Sequence, residues 1–407
     1  MRRLSSSVIV TLLFLGLFVF IFNVQLVRAI TGTITINPNG TISSPVHANI
    51  TASDQIKYTF TGNNYLPIII NRSNVIINGM GRTLQARGEN GFSVTGINKV
   101  TIENTIMTNN QVGIYLNSSS GDILSNNNAT ADSSFGIWLT ASSDNNTLLH
   151  NDVAANSLDG ILLDYSSSNT LSGNTIRGNG YGIGIYDSSD NVLSSNNVTA
   201  NSDSGVLLFS CDNNTLSGNR IAANSQGVYL NSCDNNTLSG NNATVNSQFG
   251  IYLVSSDNNT LSGNDAIAND ADGICFDRCS GNALFGNNIT ANSSEGVYLI
   301  SSSGNAFAGN KVITNSYGIV LTNSSHNMIF HNNFLNNTQQ VFGYNSSNTW
   351  DDGYPSGGNY WNDYRTAYPG AVESDSSAIW NTSYVIDNNN VDMYPLMGPF
   401  HTFSVGT

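Results

Sequence analysis

The sequence predicts an all-β chain folded as a parallel β-helix solenoid, with three short strands per ~23-residue rung and a cap at both ends. Three observations carry this. Glycines recur from Gly91 to Gly318 at spacings of 22 to 24 residues. Each is followed by an aliphatic–any–aliphatic triplet, as in Gly113-Ile114-Tyr115-Leu116 and Gly250-Ile251-Tyr252-Leu253. Asparagines recur with the same period between the triplets, where polar corners are needed.

The triplet alternates with period two, the mark of a strand with its first and third residues facing one side. Those positions form continuous apolar columns, for example Val206, Val228, Ile251 and Ile274, with Leu208, Leu230, Leu253 and Phe276 beside them. Two further apolar stations complete each rung. One is the leucine of Asn-Thr-Leu-Ser-Gly-Asn, at Leu171, Leu216, Leu238 and Leu261. The other follows shortly after, at Ile176, Val198, Ile221 and Ile289. Leucine-rich repeats have a similar period but need a helical return segment. The intervening Asn-Asn-Thr and Ala-Asn-Ser stretches here are poor helix formers.

Two asparagine columns run along the corners, from Asn146 to Asn327 and from Asn174 to Asn332. Stacked amides can bond to their copies one rung away, and asparagine tolerates the left-handed backbone of a sharp corner. A structural ladder is therefore expected, not a sugar-binding row.

The chain divides into four parts. Residues 1–29 read as a signal peptide or N-terminal anchor: Arg2 and Arg3, an apolar run from Val8 to Phe22, then Val27-Arg28-Ala29. Residues 30–90 are less regular and should form the N-terminal cap and first rungs, with strands at Ile68–Ile70 and Val75–Ile77. Residues 91–340 are the regular repeats. Residues 341–407 gather Trp350, Trp361, Trp380 and several tyrosines, and should fold over the end as an aromatic-rich cap.

Composition narrows the function. Only 10% of residues are charged and the net charge is −14, against about 25% charged in an ordinary globular chain. Lysine occurs only at Lys57, Lys99 and Lys311. Such a chain lacks the basic contacts of a nucleic-acid binder, and no nucleic-acid partner is expected. Membrane association is expected only through the N-terminal segment. The leader places the remainder outside the cytoplasm, secreted or anchored at the cell surface, as a monomer. Glycans or cell-surface components are the partners this leaves open.

Cys211 and Cys233 share one offset from their rung glycines and stack on adjacent rungs, where an exported chain can form a disulfide. In-register parallel strands also point both thiols the same way, so free thiols are the competing expectation. Cys275 and Cys279 span one corner and match no zinc pattern.

The Gly-Ile-Tyr-Leu…Asn-Thr-Leu-Ser-Gly-Asn repeat resembles the right-handed parallel β-helix repeats of NosD-like proteins. The resemblance extends from about Ile34 to Met397. Val75-Ile76-Ile77-Asn78-Gly79-Met80-Gly81 looks like that family's first-rung segment. Asp351-Asp352-Gly353-Tyr354-Pro355 through Gly358-Asn359-Tyr360-Trp361, and Tyr384-Val385-Ile386-Asp387…Asp392…Tyr394-Pro395-Leu396, look like its C-terminal segment, particularly in archaeal surface members. The resemblance implies a right-handed coil. It leaves calcium open as a cofactor, although Glu373-Ser374-Asp375-Ser376-Ser377 lacks the glycine and later acids of the family's Asp-rich loop. No other cofactor is evident. The family's copper-delivery role does not transfer through a fold alone. His47, His150, His326, His331 and His401 supply no visible triad, and no metal site is assigned.

Polysaccharide lyases, hydrolases and epimerases share this solenoid, and their chemistry needs an acid/base constellation. Two acidic groups occur. One holds Asp159, Asp164, Asp187, Asp190 and Asp203, with Tyr165 and Tyr186. The other holds Asp265, Asp270, Asp272, Asp277 and Glu295, with Arg278. Neither has a tight carboxyl pair in sequence, so Asp164, Asp187 and Asp190 stand only as weak catalytic candidates. The outward residue of each triplet is Tyr115, Trp138, Tyr229, Tyr252 and Tyr298 on several rungs. That aromatic strip is the candidate glycan-binding surface. The reading that follows is an exported, non-catalytic β-helix that binds carbohydrate or serves as a scaffold. The alternatives are a glycan-active enzyme and a copper-handling accessory protein.

Overall fold

The structure is a computed structural model that describes residues 32–401. The expected targeting segment, 1–29, lies outside the described residues. From Thr33 onward the chain forms one compact unit.

Each rung contributes its glycine-led strand to a 15-stranded sheet whose strands, apart from the edge strand Ile42–Ser43, pair in sequence order, parallel and in register. Tyr229 stands opposite Tyr252, and Leu230 opposite Leu253. The other two strands of each rung form parallel ladders of their own, such as Leu238 on Leu261 and Ala243 on Ala266. The long strands Val75–Leu84 and Val100–Thr108 join these two ladders in the first rungs. The inward columns fill the bore: Leu208, Leu230, Leu253 and Phe276 are all fully buried, as are Leu216, Leu238 and Leu261. Burying one such side chain contributes roughly 1.5–3 kcal/mol.

Three buried asparagine ladders, not two, hold the corners. In the second of the expected columns, Asn241 Oδ1 accepts the backbone N–H of Asn219 at 3.1 Å and its side-chain Nδ2–H at 2.9 Å. Asn241 Nδ2 then donates to the Leu216 carbonyl at 2.8 Å and to Asn264 Oδ1 at 3.0 Å. The column from Asn146 repeats this arrangement, as between Asn236 and Asn259. The third ladder runs from Asn156 to Asn337, as in Asn224 N–H to Asn246 Oδ1 at 3.0 Å. From Gly160 onward the alternation between 22 and 23 residues falls in this corner. Asn179 lies three residues before Gly182, whereas Asn201 lies four before Gly205. Only its distance to the following glycine varies; it lies five residues after the second column at each rung, as Asn179 does after Asn174 and Asn201 after Asn196.

The ladder asparagines do not take the left-handed backbone themselves. The residue before each one does, at Asn145, Ser168, Asp190, Asn213 and Asn235. In the first column's pairs, such as Asn213-Asn214 and Asn235-Asn236, the first asparagine makes the bend and the second makes the ladder.

A fourth column is built of serine and cysteine: Ser166, Ser188, Cys211, Cys233, Ser256, Cys279 and Ser302, all buried. Cys211 and Cys233, the expected bridge pair, stand in this column as free thiols. Each sulfur takes a hydroxyl's place. Cys211 N–H donates to Cys233 Sγ at 3.2 Å, and Cys233 N–H to Ser256 Oγ at 3.0 Å. Cys233 Sγ–H points to the Asn231 carbonyl at 3.2 Å. Both thiols face the same way, so neither Sγ is aimed at the other's bonding position.

The ends differ. At the N-terminus, antiparallel pairs Ile34–Ile36 with Ile42–Ser43 and Ile50–Ala52 with Lys57–Phe60 replace rungs. At the C-terminus the last strand, Gln339–Tyr344, extends the long sheet beyond residue 340. Aromatic rings then close the bore: Trp361 stacks on Phe334 at 4.5 Å and on Tyr384 at 4.3 Å. The cap also terminates the ladders. Asn348 N–H donates to Asn390 Oδ1, and Asn359 N–H to Asp392 Oδ2 at 2.8 Å. Trp350 and Trp361 indole N–H groups bond to the same two acceptors.

Asn241→Ala leaves several buried groups unpaired and should destabilise by about 2–5 kcal/mol. The exposed neighbour change Asn242→Ala should stay within about 0.5 kcal/mol; chemical denaturation of the two variants compares them. Alkylation after denaturation without reductant should label all four cysteines, Cys211, Cys233, Cys275 and Cys279.

Candidate glycan-binding face

The outward side of the long sheet carries three columns. The middle one reads Tyr115, Trp138, Leu162, Gly184, Leu207, Tyr229, Tyr252, Cys275, Tyr298 and Val320 in consecutive register. The expected aromatic strip is thus two groups rather than a continuous row. Tyr115 packs on Trp138 at 4.9 Å and Phe135 on Trp138 at 5.1 Å. Four rungs away, Tyr229 stacks on Tyr252 at 5.2 Å, with Phe249 at 4.7 Å. Tyr298 stands apart, separated from Tyr252 by Cys275. All five strip residues are half-buried. Phe135, Tyr181 and Phe249 were not legible as part of this face. Each directly precedes its rung glycine, and that position also points outward.

Between the aromatic groups the middle column falls to Leu162, Gly184 and Leu207. A cleft of about 390 Å³ opens there, lined by Phe135, Leu158, Asp159, Asp164, Tyr181 and Tyr186 among others. Gly184 leaves room for the Asp159 carboxyl beside it: a Cβ on it would lie 2.5 Å from Asp159 Oδ2 and 3.0 Å from the Tyr186 ring. Asp159 is 5% exposed, and burial pushes its carboxyl up to about 7. Burial, and then Asp159, raises the Tyr186 phenol above its usual value. Burial, and then Asp203, does the same for Tyr181.

Of the three weak catalytic candidates, only Asp164 borders the cleft, where it accepts the Thr140 hydroxyl at 3.1 Å. Asp187 and Asp190 sit exposed at the corner, Asp187 against the Tyr165 phenol. In the second acidic group Asp272 and Glu295 lie side by side on neighbouring rungs. Glu295 N–H donates to Asp272 Oδ1 at 3.2 Å. Burial, and then Glu295, pushes Asp272 up to about 8. This is a carboxyl pair that the sequence concealed. Its members are in hydrogen-bond contact, whereas glycosidase carboxyls stand about 5–9.5 Å apart to flank a sugar bond. Cys275 lies buried beside them, its thiol raised by burial and by Asp272.

Among the described residues no three of His, Cys, Asp and Glu converge as a metal set. The histidines do not fit a copper site. His331 is engaged by the cap, its Nε2 at 3.0 Å from the Ser356 carbonyl and its ring stacked on Phe400. His47, His150, His326 and His401 are exposed.

The sequence pattern of the family described as periplasmic copper-binding protein (NosD) matches residues 159–264 and 188–366, together just over half of the chain. The chain belongs to the NosD family. A second pattern, the right-handed β-helix region, matches residues 46–190 of this NosD-family chain. No curated protein sequence matches it. Among solved structures it is similar to the periplasmic alginate epimerase AlgG, at 17% identity and a TM-score of 0.53, over 74% of this chain and 80% of that one. The Azotobacter vinelandii mannuronan C-5 epimerase AlgE6 A-module aligns at 15% identity and a TM-score of 0.45, over 72% and 87%. The Dettilon tailspike protein aligns at 15% identity and a TM-score of 0.46, over 60% of each chain. The AlgG likeness and the β-helix pattern show the right-handed parallel β-helix fold.

The buried acids predict a pH dependence. Asp122 and Asp132 are pushed up to about 6, Asp159 and Asp392 to about 7, each chiefly by burial. Each binds its proton more tightly folded than unfolded, where an aspartate titrates near ~3.9. Their contribution is complete below about pH 4 and is lost as pH rises through about 6 to 7. The melting temperature should therefore rise from pH 8 to pH 5. Asp159→Asn should raise it at pH 8 and leave it unchanged at pH 4.

Proposed function

We propose that this NosD-family protein is an exported, non-catalytic β-helix that binds carbohydrate along the outward face of its long sheet. The observation that supports this best is the pair of aromatic groups, Tyr115–Trp138–Phe135 and Tyr229–Tyr252–Phe249, on either side of the cleft at Gly184. At about 4.8 Å per rung, the four steps from Trp138 to Tyr229 span roughly 19 Å. That is long enough for a short stretch of glycan chain to lie between two apolar shoulders. The described NosD role and the AlgG likeness both concern periplasmic proteins, which supports an extracytoplasmic location.

A second reading has one observation in its favour. Asp159, with its carboxyl near 7, is placed as a general acid or base, the trait an epimerase or lyase requires. Such chemistry on a uronate also needs a cation to neutralise the sugar carboxylate, and no lysine or arginine lines the cleft. Copper handling gains no support from the side chains described.

Glycan-array screening of the full chain, followed by titration with the best oligosaccharide, tests the proposal. Trp138→Ala and Tyr252→Ala should each weaken binding about tenfold, a loss of roughly 1.4 kcal/mol. Binding indifferent to both changes would remove the face from the account. New reducing or unsaturated ends, lost in Asp159→Asn, would replace binding by catalysis.

A further inference from the structure

Five carboxyl side chains are buried among the described residues: Asp122, Asp132, Asp159, Asp272 and Asp392. Four of them receive N–H donors from the fold. Asp122 accepts from Val100 N–H at 2.7 Å and from the Ser119 hydroxyl. Asp132 accepts from the Asn110 backbone and side chain. Asp272 accepts from Glu295 N–H. Asp392 accepts from Asn359, Trp361 and Tyr394. Asp159 receives none among the described residues, and burial is the only influence on its carboxyl. No protein group among the described residues pairs this carboxyl, and it is turned into an open cleft, where its oxygens reach solvent, over a glycine that leaves it room.

The surroundings say what kind of donor is missing. Asp164 ends the strand Ile161–Asp164 that follows Asp159, and it lines the same cleft. The rings of Tyr181 and Tyr186 line it, and Asp203 adds negative charge beside Tyr181. The nearby Arg177 is committed to Asp152, on another face of the rung. Two carboxyls, two electron-rich ring faces and no base form a site for a cation with several N–H donors. A uronate would bring a third carboxylate into this field. An N-acylated sugar would bring one weak donor and an acceptor with nothing to pair it.

We infer that the cleft at Asp159 takes the free ammonium group of an amino sugar, held on Asp159 and over the rings of Tyr181 and Tyr186, with Asp164 adding negative charge from the same cleft wall. The inference rests on the carbohydrate reading above and narrows it to one ligand class. The raised carboxyl of Asp159 agrees with it, because an ammonium would restore the charged form. The titratable groups that line the cleft with this carboxyl are Asp164, Tyr181 and Tyr186, with Asp203 beside Tyr181, and none of them is a base.

The test is calorimetric titration of the full chain at pH 7 with three oligosaccharides of equal length: a glucosamine oligomer, its N-acetylated counterpart and an oligomannuronate. The glucosamine oligomer should bind at least tenfold more tightly than the other two. Asp159→Asn, and separately Asp164→Asn, should abolish that preference while the weaker binding of the N-acetylated oligomer persists, which also shows that the variants are folded. Asp190→Asn, an exposed acid off the cleft, should leave the preference intact. Equal or tighter binding of the N-acetylated oligomer, or of the oligomannuronate, overturns the inference and leaves the carbohydrate reading standing. A glucosamine preference that survives both cleft variants assigns it to the net charge and overturns the inference as well. Failure of all three to bind overturns both readings.

Discussion

The fold depends on one recurring bond: a buried side-chain amide whose oxygen accepts the N–H groups of the rung before it. Every corner in a solenoid leaves backbone donors that cannot pair within the rung, and burying them unpaired is not tolerated. Here each is answered by the corner of the next rung, through Asn241, Asn264 and their copies in three columns. Asparagine suits the task because it has an acceptor and two donors on a short stem. The composition follows from this. A chain that spends its corners on buried amides has little room for charge, and only 10% of its residues are charged. The rung length is fixed too, since an added residue displaces an amide from its partners unless a corner absorbs it.

The same constraint explains the ends and the exceptions. A ladder must stop somewhere, and its last N–H groups need an acceptor that is not another rung. Asn390 and Asp392, on the antiparallel pair Tyr384–Asp387 and Asn390–Asp392, supply these. The family-like C-terminal segments are therefore ladder terminators as well as aromatic lids. Near the other end Asp122 and Asp132 stand in asparagine columns. The serine column accommodates cysteine because a thiol can occupy a hydroxyl's place between two rungs. With the bore and corners so occupied, outward positions are free to vary. One of them, Gly184, carries no side chain and so leaves room for the Asp159 carboxyl beside the cleft.

Inward positions were legible because a column of Ile, Val and Leu repeated without interruption can only face the bore. The asparagine columns were legible where they keep a constant distance from Asn-Thr-Leu-Ser-Gly-Asn. The ladder from Asn156 to Asn337 keeps the same kind of constant distance, five residues beyond that motif's last asparagine, and was equally legible though not read. The free thiols were visible as a possibility, but the serine column that decides for them appears only once Ser188, Cys211, Cys233 and Ser256 are seen stacked. The outward tyrosines and Trp138 were read correctly as outward, but not as two groups sheltered by Phe135 and Phe249. Asp159 was one of several acids in sequence. Its burial depends on Gly184, a neighbour one rung away, and no local pattern announces such a pairing. The contact between Asp272 and Glu295 was hidden for the same reason: 23 residues of chain separate two side chains that the coil brings together.

The account stands or falls on whether the amide ladders are the cooperative spine of the solenoid. Hydrogen exchange resolved to individual amides measures this directly. The backbone N–H groups of Asn174, Asn219 and Asn264, which donate into the ladder, should exchange as slowly as those of the core strands beside them and open together with them. Fast, independent exchange at these corners, with slow exchange confined to the strands, would show that the strands hold the coil and that the ladders merely decorate it.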